Sequence, residues 1–206
     1  AGVLEGKDMA KVFAWMRPND LIWNYWVNNY LLGNEPPVFD ILFWNNDTTR
    51  LPAAFHGDLI EMFKNNPLIR PNALEVCGTP IDLKQVTADI FSLAGTNDHI
   101  TPWKSCYKSA QLFGGKVEFV LSSSGHIQSI LNPPGNPKSR YMTSDEMTAN
   151  ADDWQENSTK HADSWWLYWQ AWQAARSGEL KKAPTKLGNK AYPAGEASPG
   201  TYVHER

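Results

Sequence analysis

The chain has 206 residues and a net charge of −3, from 19 Lys and Arg against 22 Asp and Glu. With 42% hydrophobic and 20% charged residues, it has apolar surface for one ordinary globular core and too little charge for a disordered chain. No basic block precedes the last thirty residues, so electrostatics points to neither nucleic acid nor an anionic membrane as the main partner. Cys77 and Cys106 are too few for a disulfide framework and suit a reduced, cytoplasmic setting. The longest apolar run, residues 38–44, is broken by Asp40 and falls far short of the roughly 20 residues that a membrane span needs. Residues 1–6 lack the basic start and apolar core of a signal peptide, and the first residue is Ala1. The sequence is therefore expected to begin inside a longer protein.

Met9, Val12, Phe13 and Met16 follow helical spacing over residues 7–16, and Arg17-Pro18 interrupts them. A second helix is predicted from Pro18, with Leu21, Ile22, Tyr25, Trp26 and Tyr30 as its apolar face and Gly33-Asn34 as its stop. Residues 38–44 read as a buried strand, and a third helix should run from Pro52, with Phe55, Leu59, Ile60 and Phe63 inward, to Asn65-Asn66-Pro67. A short segment at 74–77 precedes a Gly78-Thr79-Pro80 turn.

Residues 89–94 form a compact apolar run, followed by Gly95-Thr96-Asn97-Asp98-His99. A helix opening at Thr101-Pro102 and closing at Gly114-Gly115 then leads to the alternating strand 117–121. Strand, helix and strand make a βαβ unit, which calls for a parallel sheet. Residues 132–150 read as a surface loop with a short helix near Ser144-Asp145-Glu146, and a last helix spans 163–176, with Trp165, Trp166, Trp169 and Trp172 on one side. From Lys181 the chain has no period.

The strongest chemical constellation is Asp98 with His126. Each follows the carboxyl end of a strand of one βαβ unit, where functional groups of parallel sheets collect, and their separation of 126 − 98 = 28 residues is what one helix and one strand consume. A carboxylate on one imidazole nitrogen fixes the tautomer and leaves the other nitrogen as a base. Taken singly, the Asp is an ordinary turn former and the Gly-His pair is common; it is the pairing that gives them weight. His99 is the alternative imidazole, but it leads into the crossover helix and is expected to shape the turn. The order acid then histidine is that of an α/β-hydrolase triad, whose nucleophile comes first. No Gly-x-Ser/Cys-x-Gly elbow occurs; Cys77 and Cys106 read as small packing residues, so the nucleophile is expected upstream of Ala1.

Several motifs in order carry a resemblance to a family. They include Gly95-Thr96-Asn97-Asp98-His99-Ile100-Thr101-Pro102-Trp103, Phe119-Val120-Leu121-Ser122-Ser123-Ser124-Gly125-His126-Ile127 and Asn132-Pro133-Pro134. Further ones are Arg17-Pro18-Asn19-Asp20, Phe43-Trp44-Asn45, Val76-Cys77-Gly78, Ser164-Trp165-Trp166 and Pro199-Gly200-Thr201-Tyr202-Val203. Together they resemble the carboxyl-terminal part of the catalytic domain of class I polyhydroxyalkanoate synthases. The resemblance implies an α/β fold, the C-terminal portion of an α/β-hydrolase fold with part of a cap subdomain: residues 1–75 in the cap, 76–180 in the core and 181–206 as an extended tail. It implies an acyltransferase that polymerises (R)-3-hydroxyacyl-CoA with release of coenzyme A. Asp98 and His126 would be two members of a Cys-His-Asp triad, whose thiol suits thioester exchange.

On the same resemblance the protein works in the cytoplasm at the polyhydroxyalkanoate granule surface. It would be a homodimer through the cap, with the growing polyester as partner and no metal or cofactor beyond the coenzyme A of its substrate. The aromatics of residues 7–74, among them Trp15, Trp23, Trp26, Tyr30, Phe39, Phe43 and Trp44, are expected to pack a small subdomain, some facing an acyl channel. Arg17 is the cation suited to a coenzyme A phosphate, against the plain reading of a solvated arginine at a helix joint. The Trp165 to Trp172 stripe is expected to dock the last helix on the sheet. Rival readings are an α/β-hydrolase esterase or polyester depolymerase, which a serine elbow would mark, and a non-catalytic granule-associated protein, against which the kept Asp98 and His126 count. Lacking an elbow, the chain alone is expected to be inactive.

Overall fold

The structure, a computed structural model, describes residues 2–37, 47–197 and 200–201. The chain divides into two compact units, Ala1–Asp89 with Leu112–Lys116, and Ile90–Gln111 with Val117–Arg206.

In the first unit, β1 (Val3–Leu4) pairs antiparallel with β2 (Leu51–Pro52). Helix α1 (Gly6–Met16) ends before Arg17, as the Arg-Pro step requires. The helix expected from Pro18 is present, but most of it is wound as two π-helical stretches, Asn19–Trp23 and Trp26–Leu31. Apolar residues at 21, 22, 25, 26 and 30 suit an i→i+5 turn as well as an i→i+4 one, so their spacing does not choose between them. Helix α2 (Ala53–Asn65) starts after Pro52 and stops at Asn66, whose φ of 40° takes the left-handed cap position. Beyond it, β3 (Leu74–Val76) and β4 (Thr79–Ile81) form a hairpin. The two-residue turn is Cys77-Gly78, both at positive φ as such hairpins favour, so the turn expected at 78–80 belongs partly to the second strand.

Among the described residues the expected packed aromatic subdomain is not formed. Trp15, Trp23, Trp26 and Tyr30 are exposed, as are Phe55, Ile60 and Phe63 of α2, so the faces that sequence marks as inward lie open. Periodicity specifies that a face must be covered, not by what. The strand expected at 38–44, with Phe39, Phe43 and Trp44, lies outside the described residues.

The second unit holds the core. Strand β5 (Ile90–Gly95), helix α3 (Trp103–Ala110) and strand β6 (Val117–Ser122) form the βαβ unit, with β5 and β6 parallel from Ile90↔Val117 to Gly95↔Ser122. Helix α3 ends before the Gly114-Gly115 stop expected for it. The loop expected over 132–150 contains β7 (Arg140–Thr143), which pairs antiparallel with β6 and with β8 (Thr159–Ala162). Between β7 and β8 lies α4 (Ala151–Glu156), capped by Asn150, and residues 144–146 form no helix, 145 and 146 being bends. The sheet, in the order β5-β6-β7-β8, is therefore mixed and not wholly parallel. Arg140-Tyr141-Met142-Thr143 is too short, and too close to Pro and Asn, for local pattern to mark it as a strand.

One sheet face carries Phe119 and Leu121, both fully buried with Tyr107 of α3 and Trp154 of α4. The rings of Tyr107, Phe119 and Trp154 meet at 5.0 to 5.6 Å. The other face carries α5 (Trp165–Ala174), whose Trp165, Tyr168 and Trp172 lie 5.5 to 6.1 Å from the Phe91 ring. The docking face is thus Trp165, Tyr168 and Trp172; Trp169 is exposed. Among the described residues no helix is long and apolar enough to cross a membrane.

Trp154 is fully buried, yet its Nε1 has no hydrogen-bond partner among the described residues. Trp154→Ala should cost about 3–5 kcal/mol through the cavity it leaves. Trp154→Phe should cost clearly less, because it also removes an unpaired buried N–H worth about 1–3 kcal/mol. Urea midpoints for the two variants check the order, and equal losses would contradict it.

Candidate active site

The ladder between β5 and β6 continues past both strands. Thr96 N–H donates to the Ser122 carbonyl at 2.9 Å and Asn97 N–H to the Ser124 carbonyl at 3.1 Å, so the two loops leave the sheet side by side. Gly95 permits this: a Cβ there would stand 2.7 Å from Ser129 Oγ and 3.0 Å from the Ser124 carbonyl.

Asp98 closes the first loop. Its Oδ1 accepts the N–H groups of Ile100 and Thr101, each at 2.9 Å. Its Oδ2 accepts the Thr101 hydroxyl at 2.7 Å and lies 2.8 Å from His126 Nδ1 in the second loop. The Asp98 side chain is 5% exposed and that of His126 is 41% exposed. Burial pushes the carboxyl up, but the donors from Thr101, His126 and Ile100 outweigh it and hold Asp98 well below the usual carboxylate range. An ionised carboxylate only accepts, so Nδ1 must carry the proton. That leaves the Nε2 lone pair free as a base, in a ring whose charged form Asp98 would stabilise.

The structure thus brings Asp98 and His126 together and does not join the other candidates to them. His99 is exposed. Arg17 belongs to the first unit, where it is exposed and ion-paired with Asp20. Cys77 sits exposed in the first unit's hairpin turn. Cys106, on α3, contacts the Thr101 carbonyl at 3.7 Å. Burial, then the Asp98 charge, pushes its thiol up, the wrong direction for a nucleophile. Sequence reasoning missed Thr101, which supplies two of the four Asp98 bonds; an acceptor three residues before a Thr was the available signal, and Thr101 was read only as a helix opening.

Two loops at the carboxyl edge of parallel strands carry an acid and then a histidine, in the chain order of a hydrolase-type sheet. Residues 1–133 match the alpha/beta hydrolase fold family, and the chain belongs to it. Over all 206 residues it is 82% identical to poly(3-hydroxyalkanoate) polymerase 1 of Ectopseudomonas oleovorans, covering 37% of that protein. It is 58% identical over 205 residues to polymerase 2 of the same organism, again 37% of that protein. With the poly(3-hydroxyalkanoate) polymerase subunit PhaC of Cupriavidus necator it shares 41% identity over 202 residues, 98% of this chain and 34% of that protein. The chain spans a little over a third of the length of these curated relatives.

Proposed function

We propose that the protein is an acyltransferase that polymerises (R)-3-hydroxyacyl-CoA into polyhydroxyalkanoate and releases coenzyme A. The observation that carries this reading is the 2.8 Å contact of Asp98 with His126, in a chain similar from end to end to poly(3-hydroxyalkanoate) polymerases. His126 Nε2 takes the proton of a cysteine thiol; the thiolate attacks the thioester carbonyl, the carbon–sulfur bond to coenzyme A breaks, and the departing thiolate recovers the proton from the imidazolium. In the second half, His126 takes the proton of a 3-hydroxyl, whose oxygen attacks the enzyme thioester. An ester forms and the cysteine is regenerated. Asp98 holds the Nδ1–H tautomer and offsets the imidazolium charge throughout.

The thiol is a cysteine outside these 206 residues, since Cys106 is half-buried with a raised pKa and Cys77 lies in a turn of the first unit. Arg17 is the guanidinium assigned to a coenzyme A phosphate, which must compete with Asp20. Coenzyme A enters as part of the substrate, and the reading needs no other cofactor or metal. An insoluble polyester product puts the enzyme at the granule surface in the cytoplasm, as a homodimer through the cap.

The test is to supply the full-length protein with 3-hydroxybutyryl-CoA and measure thiol release together with products. Polyester equivalent to the coenzyme A released is expected; free 3-hydroxybutyrate in its place would make the protein a hydrolase. The 206-residue chain alone should release none. Release by it that disappears in Cys77→Ala or Cys106→Ala would put the nucleophile within this chain.

A further inference from the structure

The segment that carries His126 is short and tightly turned. Ser129 N–H donates to the Gly125 carbonyl at 3.0 Å and Leu131 N–H to the Ile127 carbonyl at 2.9 Å. The Ile130 carbonyl also accepts Asn132 N–H at 3.0 Å, and the carbonyls of Ser129, Ile130 and Asn132 are all met by Ser164, the N-cap of α5, and the helix's first two residues. Trp165 Nε1–H donates to the Ser129 carbonyl at 2.7 Å and Trp166 Nε1–H to the Ile130 carbonyl at 2.9 Å. The Ser164 hydroxyl donates to the Asn132 carbonyl and accepts Trp166 N–H at 3.0 Å, so it caps the helix and fastens the loop at once. Ser129, Asn132, Ser164 and Trp165 are all buried. The Asn132 side chain is fixed in turn, its Oδ1 accepting the Ser139 hydroxyl at 2.5 Å and its Nδ2 reaching Ser122 Oγ at 3.4 Å.

Helix docking explains a buried indole ring, not the convergence of three side-chain donors on one loop. Trp166 is only half-buried, and water could serve its N–H, yet it turns onto the Ile130 carbonyl. Among the described residues the His126 ring has one side-chain tether, Asp98, and it is 41% exposed. Its position relative to that carboxylate is therefore set by its backbone.

We infer that Ser164, Trp165 and Trp166 are positioning residues that lock the loop of His126 and so hold its ring on Asp98. The inference rests on the reading of His126 as the base. It gives the Ser-Trp-Trp sequence a task beyond docking α5: a base displaced by even about 1 Å loses on the order of a hundredfold in rate.

The test is the Trp165→Phe/Trp166→Phe variant of the full-length protein, which keeps both rings and removes both donors. We expect kcat to fall about 10- to 100-fold with KM for 3-hydroxybutyryl-CoA unchanged. The downfield proton resonance of His126 Nδ1–H should weaken. Trp166→Phe alone, at a half-buried site, should show the same changes in smaller degree if the double variant does not fold. Unchanged kcat in a folded variant would overturn the inference, as would a loss of kcat with the resonance unaltered, the mark of a merely structural role. His126→Ala, measured in parallel, separates the two readings. If it turns over normally, the base assignment fails, while the resonance still reports on the clamp.

Discussion

His126→Ala in the full-length protein is expected to lower the polymerisation rate by roughly 10³- to 10⁶-fold, the range seen when the base of such a triad is removed. If one imidazole serves both the thiol and the hydroxyl, as proposed, the loss should fall on both halves of the reaction, and burst release of coenzyme A should vanish with the steady state. Folding should survive. The ring is 41% exposed, and its removal leaves Asp98 with the two N–H groups and the hydroxyl of its own turn. Losing one of four hydrogen bonds to the ionised carboxylate costs about 1.5–3 kcal/mol, less what water entering the vacated space returns. A urea midpoint close to the parent's, beside a lost rate, is the expected pair of results; near-normal turnover would refute the assignment.

The acid–histidine pair was legible because each half of it is a local event. Val117 to Leu121 alternates and the run ending at Ala94 is short and apolar, so both strands and the helix between them follow from pattern. Residue counting then brings the two loops together. Strands β7 and β8 were not legible. Arg140 to Thr143 is held by its pairing with β6, and Thr159 to Ala162 by its pairing with β7, which are tertiary facts that four polar-rich residues do not announce.

The tryptophans show the same limit at a finer scale. Helical spacing finds Trp165 and Trp172 and their docking side, but it overlooks Tyr168 between them, which reaches both the Phe91 ring and the Glu118 carboxylate. Nor does it show that the indole N–H groups of Trp165 and Trp166 are spent on the loop of His126. Apolar period reports which side of a helix is inward and is silent on where a polar edge is aimed. In the first unit the same signal marks faces on α1 and α2 that lie open. Pattern is informative about a surface and uninformative about its partner.

Asp98→Asn should be nearly as damaging as loss of the ring, by about 10³- to 10⁴-fold, although it is almost isosteric. The carboxylate accepts four bonds, and an amide can accept only on its oxygen. If that oxygen keeps the N–H groups of Ile100 and Thr101, the amide NH₂ must face the Thr101 hydroxyl and His126 Nδ1. Nδ1 then has to accept, the proton moves to Nε2, and the nitrogen that should take a proton holds one instead. Nitrogen-15 spectra of the His126 ring should show this tautomer exchange, and an unchanged Nδ1–H tautomer with full activity would contradict the role given to Asp98. Stability supplies an independent check whose sign is fixed. Because the folded state holds Asp98 below its ordinary value of 3.8, the ionised carboxylate stabilises the fold fully above that pH, and the benefit fades as pH falls through the lower folded value. The parent should therefore exceed Asp98→Asn in stability at neutral pH, and the gap should narrow below about pH 4. A gap that widens on acidification would mean that the carboxylate is destabilised by its burial rather than held by its four donors.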